Sequence, residues 1–331
     1  MTSRADTIEP RFSGNPAPGW RALGWALLGA LAAFLVNNIL VIGFGSAHLS
    51  SLFTEGLGAA WVPLAVYAIF MGAGVAFAIS SSETPLRQDA DRIHRMNLYI
   101  VRSLFWAVFM IGVVDALVAL MRVENMLSFF FDKETVREFT RSAFVAPIFH
   151  FPLIALGFVI GAFTRTLGFS WLALLIVASE LLIVFTRFVF SYEQALMGDL
   201  VRYWYAALFL FASAYTLYDE GHVRVDIIYA GRSSRTKGKL NSVGTLLLGI
   251  VTCWTVLVIG MNGKTAIINA PIVNLEITQT GANGMFIKYQ MAGFLAVFAV
   301  TMILQFVSYL FESLADSRDE PGKREIAAPA H

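Results

Sequence analysis

The chain has 331 residues, of which 57% are hydrophobic and only 14% charged, against about a quarter charged in an ordinary soluble domain. Twenty-eight phenylalanines and a mean hydropathy of +0.67 are more than one soluble core of this size can bury. A formal charge of +1 offers no basic surface to nucleic acid, and a single cysteine, Cys253, excludes an internal disulfide or a multi-cysteine metal cage.

What remains is an integral membrane protein. A bilayer core about 30 Å thick needs roughly 20 apolar residues in helical form. Eight stretches qualify in chain order: Trp20–Gly45, Leu57–Ser80, Leu98–Met121, Val145–Thr164, Phe169–Thr186, Leu200–Tyr218, Leu240–Met261 and Phe286–Glu312. None sustains period-two alternation, so the expected fold is all-α rather than a β-barrel. The fifth stretch is short and carries Glu180. Met1–Gly19 is a polar tail with Pro and Gly. The first span is too long and too deep in the chain for a signal-peptide core, so it reads as a retained anchor.

Short-loop Lys and Arg residues set the orientation. Arg4, Arg11 and Arg21 precede the first span, whereas the loop Ser46–Gly56 has none. Arg87, Arg92 and Arg95 follow span two; Arg224, Arg232, Arg235, Lys237 and Lys239 follow span six; Arg318, Lys323 and Arg324 follow span eight. All fall on one side if both termini are cytoplasmic. Lys133, Arg137 and Arg141, between spans three and four, are the exception. There Asp132 can cap a helix whose Val136, Phe139 and Ala143 share a face, suited to lying in the headgroup plane. The adjoining Phe129–Phe131 run reads as membrane contact.

The junction Arg165–Gly168 divides the chain into two four-span halves with no visible internal repeat. The first half has few polar groups within its spans: Asn37, Asn38, Arg102, Asp115 and His150, the last between Pro147 and Pro152. Asp115 and His150 are most simply satisfied locally, with a proton relay as the functional alternative. Glu180 is costly inside a span unless paired. Arg187, two turns along the same face, is the partner the sequence offers; a polar contact to another subunit is the functional alternative. Arg187 and Arg202 sit near span ends, where their stems can snorkel.

Absences narrow the function. Among the five histidines, His48, His94, His150, His222 and His331, only His150 lies well inside a span, so no helix-to-helix haem pair is evident. A phosphate-binding GxxxxGK[ST] loop, an HExxH pair and a voltage-sensor arginine ladder are all missing from the sequence. No catalytic, cofactor-binding or metal-ligating residue emerges, so an enzyme is not expected.

The segment from Leu181 to Asp226 is the most informative. One helix ends in Arg187-Phe188, an acidic connection follows from Tyr192-Glu193 to Asp199, and a second helix ends in Gly221-His222-Val223-Arg224-Val225-Asp226. Further on come Asn274-Leu275-Glu276, Phe286-Ile287-Lys288 and Gln305-Phe306-Val307. Over about Gly168–Leu314 the chain resembles the small membrane (permease) subunit of tripartite ATP-independent periplasmic (TRAP) transporters, whose second helix ends in Gly-His-(Ile/Val)-Arg-(Ile/Val)-Asp. It departs from that family at Tyr192, where tryptophan is usual. It departs again at Phe211-Ala212-Ser213-Ala214, which lacks glycine, and at Met291-Ala292, where a proline is common. Glycine at 221 can end a helix in a left-handed conformation, and His222 and Arg224 then alternate with two valines.

The eight spans, with the resemblance confined to the last four, give a 4 + 4 arrangement. Residues 1–19 form a polar tail, 20–166 a four-helix extension, 167–315 the small-permease domain and 316–331 a second polar tail. It implies a non-catalytic subunit without cofactor in a bacterial inner membrane. The expected partners are a large multi-span membrane subunit, a periplasmic substrate-binding protein and membrane lipids. The implied process is secondary, sodium-coupled uptake of an organic acid or similar solute. Arg187, Glu193, Asp199, Arg202, Gly221, His222, Arg224, Asp226, Glu276 and Lys288 become the family-motif residues, with structural or subunit-interface roles. Two competing readings remain. One is a self-sufficient carrier or channel whose polar path is Glu180, Asp115 and His150. The other is a membrane anchor for a redox enzyme, which the histidine count disfavours.

Overall fold

The fold is known from a computed structural model that describes residues 14–166, 168–219, 229, 231–278 and 280–323. The structure is 80% helical and has no strand among the described residues. Among the described residues eight helices are long and apolar enough to cross a bilayer: α1 Pro18–Phe44, α2 Leu57–Ser80, α3 Leu86–Val123, α4 Ser142–Phe163, α5 Phe169–Phe190, α6 Ala195–Tyr218, α7 Ser234–Gly260 and α8 Lys288–Ser317.

Local chemistry accounts for most of the boundaries. Pro18 opens α1, where its missing N–H costs nothing, and Gly45 closes it at φ +67°. Ser233 caps α7 by accepting the Thr236 N–H at 3.3 Å. Within α4 the backbone relaxes into a π-helical turn over Ala146–His150, where Pro147 supplies no amide hydrogen. The largest difference from the hydropathy reading is α3, which begins at Leu86 rather than Leu98 and reaches about 57 Å at 1.5 Å per residue. Its first three turns are polar, so hydropathy passes over them, yet side-chain ion pairs hold them in helical form.

The chain divides into two compact units. Unit 1 comprises residues up to Met96, Thr216–Thr255 and Met302 onward; unit 2 comprises Asn97–Tyr215 and Val256–Thr301. Each draws on both halves of the sequence.

In unit 1, α1 and α2 meet at Gly29 and Gly74. A Cβ at either glycine would collide with backbone of the facing helix, at Phe70 and Trp25 respectively. Small residues permit this approach, which matters in lipid because packing replaces the hydrophobic drive. Arg21 is fully buried and donates to Asp89 at 2.7 Å, to the Ala78 carbonyl at 2.9 Å and to both the hydroxyl and carbonyl oxygens of Ser81. Trp25 donates to the same Asp89 oxygen at 2.9 Å. Arg87, also buried, reaches Glu312 at 2.5 Å and Asp316 at 2.9 Å on the last turns of α8. Read from sequence as loop charges, these two arginines are interior clamps.

Unit 2 is built around Phe105, Val108 and Ile111 of α3, Tyr203, Trp204, Ala207 and Phe211 of α6, and Phe294 of α8. Gly157 and Gly161 seat α4 directly on Ser103 and Ala107 of α3. The connection after α3 folds onto this body. Asp132 does cap Lys133–Glu138, accepting the N–H groups of Glu134 at 3.0 Å and Thr135 at 3.3 Å. The capped helix is only six residues long, and Phe139 is buried against Val118, Leu127, Val145 and Phe286 rather than facing outward. Phe129, Phe130 and Phe131 are exposed.

Candidate functional site

The family-motif residues resolve into three local sets in unit 2. At the α5–α6 corner, Ser191 takes a left-handed conformation and Arg187 turns back to Glu193 at 3.4 Å. Beside them Tyr192 donates to Glu124 at 2.7 Å. The raised pKa of the Tyr192 hydroxyl follows, since ionising it would cost that bond to a carboxylate. In the second turn of α6, Asp199 is buried. It accepts the Met285 N–H at 3.1 Å and the Thr280 hydroxyl at 3.2 Å, and lies 3.7 Å from Arg202. At the entrance to α8, Lys288 pairs with Glu276 at 2.6 Å, and the Tyr289 N–H donates to the Glu276 carbonyl at 3.2 Å. These contacts fix corners and helix entries. Gly221, His222, Arg224 and Asp226 lie outside the described residues.

The intramembrane polar residues part company. Asp115 and His150 come together in the sealed interior of unit 2, both with no exposed surface. Asp115 accepts the Phe286 N–H at 2.7 Å through Oδ2, while Oδ1 faces His150 Nε2 at 3.3 Å. On the other side of the imidazole, Nδ1 lies 2.5 Å from the Tyr289 hydroxyl and 3.0 Å from Gln290 Nε2. The Tyr203 hydroxyl donates to Gln290 Oε1 at 2.5 Å. The chain of donors assigns the tautomer. With Gln290 accepting from Tyr203, its amide nitrogen can only donate, so Nδ1 accepts and Nε2 carries the hydrogen, 3.3 Å from Asp115 Oδ1 but not hydrogen-bonded to it.

This cluster joins α3 and α4 of the N-terminal half to α6 and α8 of the C-terminal half. Its members are buried on every side, so its chemistry is that of a structural lock. Among the described residues no group of three His, Cys, Asp or Glu side chains could hold a metal ion. Glu180 is elsewhere: it is exposed midway along α5, and among the described residues no hydrogen bond or ion pair reaches it. Arg187, the partner expected from sequence, is taken by Glu193.

Sequence reasoning missed Tyr289, Gln290 and Tyr203, which read as ordinary amphipathic residues at helix spacing. It also missed Arg122, which ends α3 and looks like a snorkelling charge. Arg122 is buried over the Phe286 ring at 4.4 Å and donates to the carbonyls of Phe139, Ala282 and Gly284. Five donors in one planar group suit it to gather three carbonyls.

Helix α5 carries the other notable surface. Of its 22 residues only Leu172 is buried. Leu174, Val177, Leu181, Val184, Phe185 and Phe188 all stand exposed around Glu180.

Residues 174–316 match the family model described as tripartite ATP-independent periplasmic transporters, DctQ component. No curated protein and no solved structure gives a match. The matched stretch runs from the first turns of α5 to the end of α8, leaving α1–α4 as additional helices ahead of it. The chain is thus a multi-pass membrane protein whose residues 174–316 match the DctQ component model of the TRAP transporters, a transporter-subunit rather than an enzyme family.

Proposed function

We propose that the chain works as the small membrane subunit of a TRAP transporter, bracing a larger multi-span transport subunit in a bacterial inner membrane. A periplasmic binding protein delivers the solute, an organic acid or a similar compound, and uptake is coupled to sodium. Both termini face the cytoplasm. Beside the family match, the observation that carries this reading is the bare surface of α5. A carboxylate at a helix centre costs roughly 2.5–3.5 kcal/mol to place in a bilayer. Glu180 meets no partner within the described chain, so a donor from a neighbouring membrane subunit is the natural compensation. The motif residues Arg187, Glu193, Asp199, Arg202, Glu276 and Lys288 support the reading as corner-fixers that hold this face in shape. We assign the same role to Gly221, His222, Arg224 and Asp226.

The single native cysteine makes a direct test practical. With Cys253 replaced by serine, cysteines are introduced one at a time at Leu174, Leu181 and Phe188, and a thiol–amine crosslinker is applied in native membranes. The proposal expects an adduct with a larger multi-span membrane protein at these positions. Adducts confined to a second copy of the chain, or none at all, would refute it. The self-sufficient carrier reading draws no support from the geometry, because Glu180 stands apart from Asp115 and His150.

A further inference from the structure

A groove of about 380 Å³ opens along one side of unit 2, lined by Phe105, Trp106, Phe109, Thr166, Trp171 and Leu175. Its volume falls within the range of about 300–1,000 Å³ that ligand sites occupy. The walls come from α3 and from the first two turns of α5, and they are aromatic and aliphatic apart from Thr166. Trp171 is 65% exposed, so the outer wall faces whatever surrounds the protein.

Two arginines neighbour the residues at one end of the groove. Arg102 lies one turn before Trp106 on α3, and both bind Thr164: Arg102 donates to its carbonyl at 2.5 Å and Trp106 to its hydroxyl at 3.0 Å. That shared anchor holds the α4–α5 junction at the head of the groove. Nε of Arg102 is buried and, among the described residues, has no hydrogen-bond partner. Arg165, next to the lining residue Thr166, is exposed, and among the described residues no ion pair or hydrogen bond reaches it. Among the described residues neither arginine has a carboxylate partner, whereas Arg21 and Arg87 are ion-paired.

We infer that this groove binds one anionic phospholipid. Its phosphate sits between Arg102 and Arg165, and the upper part of an acyl chain runs along Phe105, Phe109, Trp171 and Leu175. Arg102 and Phe109 are two turns apart, about 10 Å along the helix axis, which accommodates the first portion of such a chain with the rest in the bilayer. An apolar cofactor would leave both cations unanswered, and a free phosphate would leave the aromatic walls empty. With both termini cytoplasmic, as proposed above, the α4–α5 junction faces the anionic leaflet. The site itself does not depend on that reading or on the transporter role.

The test is native mass spectrometry of the full chain extracted from nanodiscs of equimolar phosphatidylglycerol and phosphatidylcholine. Size-exclusion profiles serve as the folding control. The site predicts one retained phosphatidylglycerol in preference to phosphatidylcholine. A basic side chain beside an anionic headgroup contributes about a five-fold preference. Arg165→Gln, which disturbs no internal bond, therefore lowers the preference about five-fold, and the Arg102→Gln/Arg165→Gln pair lowers it roughly twenty-five-fold. Leu175→Trp, which fills the groove and leaves the charges in place, lowers retention of both lipids. Equal retention of the two lipids by the wild-type chain, undiminished selectivity in Arg165→Gln, or retention unaffected by Leu175→Trp would each overturn the site. Retention of inorganic phosphate in place of phosphatidylglycerol, in a control with added phosphate, would identify the occupant as a free anion and overturn the lipid assignment.

Discussion

Replacing Asp115 by leucine removes the carboxylate whose Oδ2 accepts the Phe286 N–H at 2.7 Å and whose Oδ1 lies 3.3 Å from His150 Nε2. A donor left unsatisfied in a sealed interior costs about 1–3 kcal/mol, so the substitution is expected to destabilise the fold by about 2 kcal/mol. Asp115→Asn is the graded control, since its amide oxygen can still accept the Phe286 N–H and the loss should be smaller. His150→Leu strands the Gln290 amide and removes the imidazole that faces Asp115 Oδ1, for a cost of about 2 kcal/mol. Because the two residues face each other, the double leucine variant should lose less than the sum of the singles, by about 1–3 kcal/mol. Denaturant titration of the detergent-solubilised chain, followed by tryptophan fluorescence, gives all four corners of the cycle. Additivity within about 0.5 kcal/mol would refute the claim that the cluster is one coupled lock between the two sequence halves.

Three further outcomes are expected. Gly157→Val places a side chain where a Cβ already sits 2.7 Å from backbone atoms of Ser103 and Ala107, so α4 must move off α3, with a loss of about 1–3 kcal/mol or more in the same titration. Arg21→Met leaves Asp89 buried with Trp25 and the half-exposed Arg92 as its remaining partners. It should cost about 3–5 kcal/mol, and Arg21→Lys should not restore the loss because an ammonium cannot fan out to Asp89, Ala78 and Ser81 together. The Thr135 hydroxyl and the capped amides hold the Asp132 carboxyl below its ordinary value of 3.8. Its cap is therefore complete above that value and is lost as the pH falls through the lowered one. Amide exchange over residues 133–138 should accelerate only in that acid range, and Asp132→Ala should abolish the acid dependence.

Hydropathy legibly marks helices because in lipid every spanning segment must satisfy its own backbone, and all eight expected spans are helical in the structure. It places the start of α3 twelve residues late because Arg87, Asp89 and His94 are polar. Their helical state rests on partners far away in sequence, such as Arg21, Glu312 and Gln305. The Asp132 cap is legible since it acts within three residues. Asp115 and His150 are legible as intramembrane polar groups, but Tyr289, Gln290 and Tyr203 are not, since tyrosine and glutamine carry no signal until a partner is known. Arg187 shows the limit of reading a helix face: Glu180 lies at the right spacing, but the chain reverses at Ser191 and brings Glu193 within reach first.

The account stands most directly on whether this chain has a large membrane partner. Affinity purification of the full chain from its native membrane in mild detergent, with co-purifying proteins identified by mass spectrometry, decides it. A stoichiometric, larger multi-span membrane protein is the predicted result, and its recovery should fall when Glu180 is replaced by lysine. Recovery of the chain alone across several detergents, together with solute transport in liposomes that contain nothing else, would contradict the account.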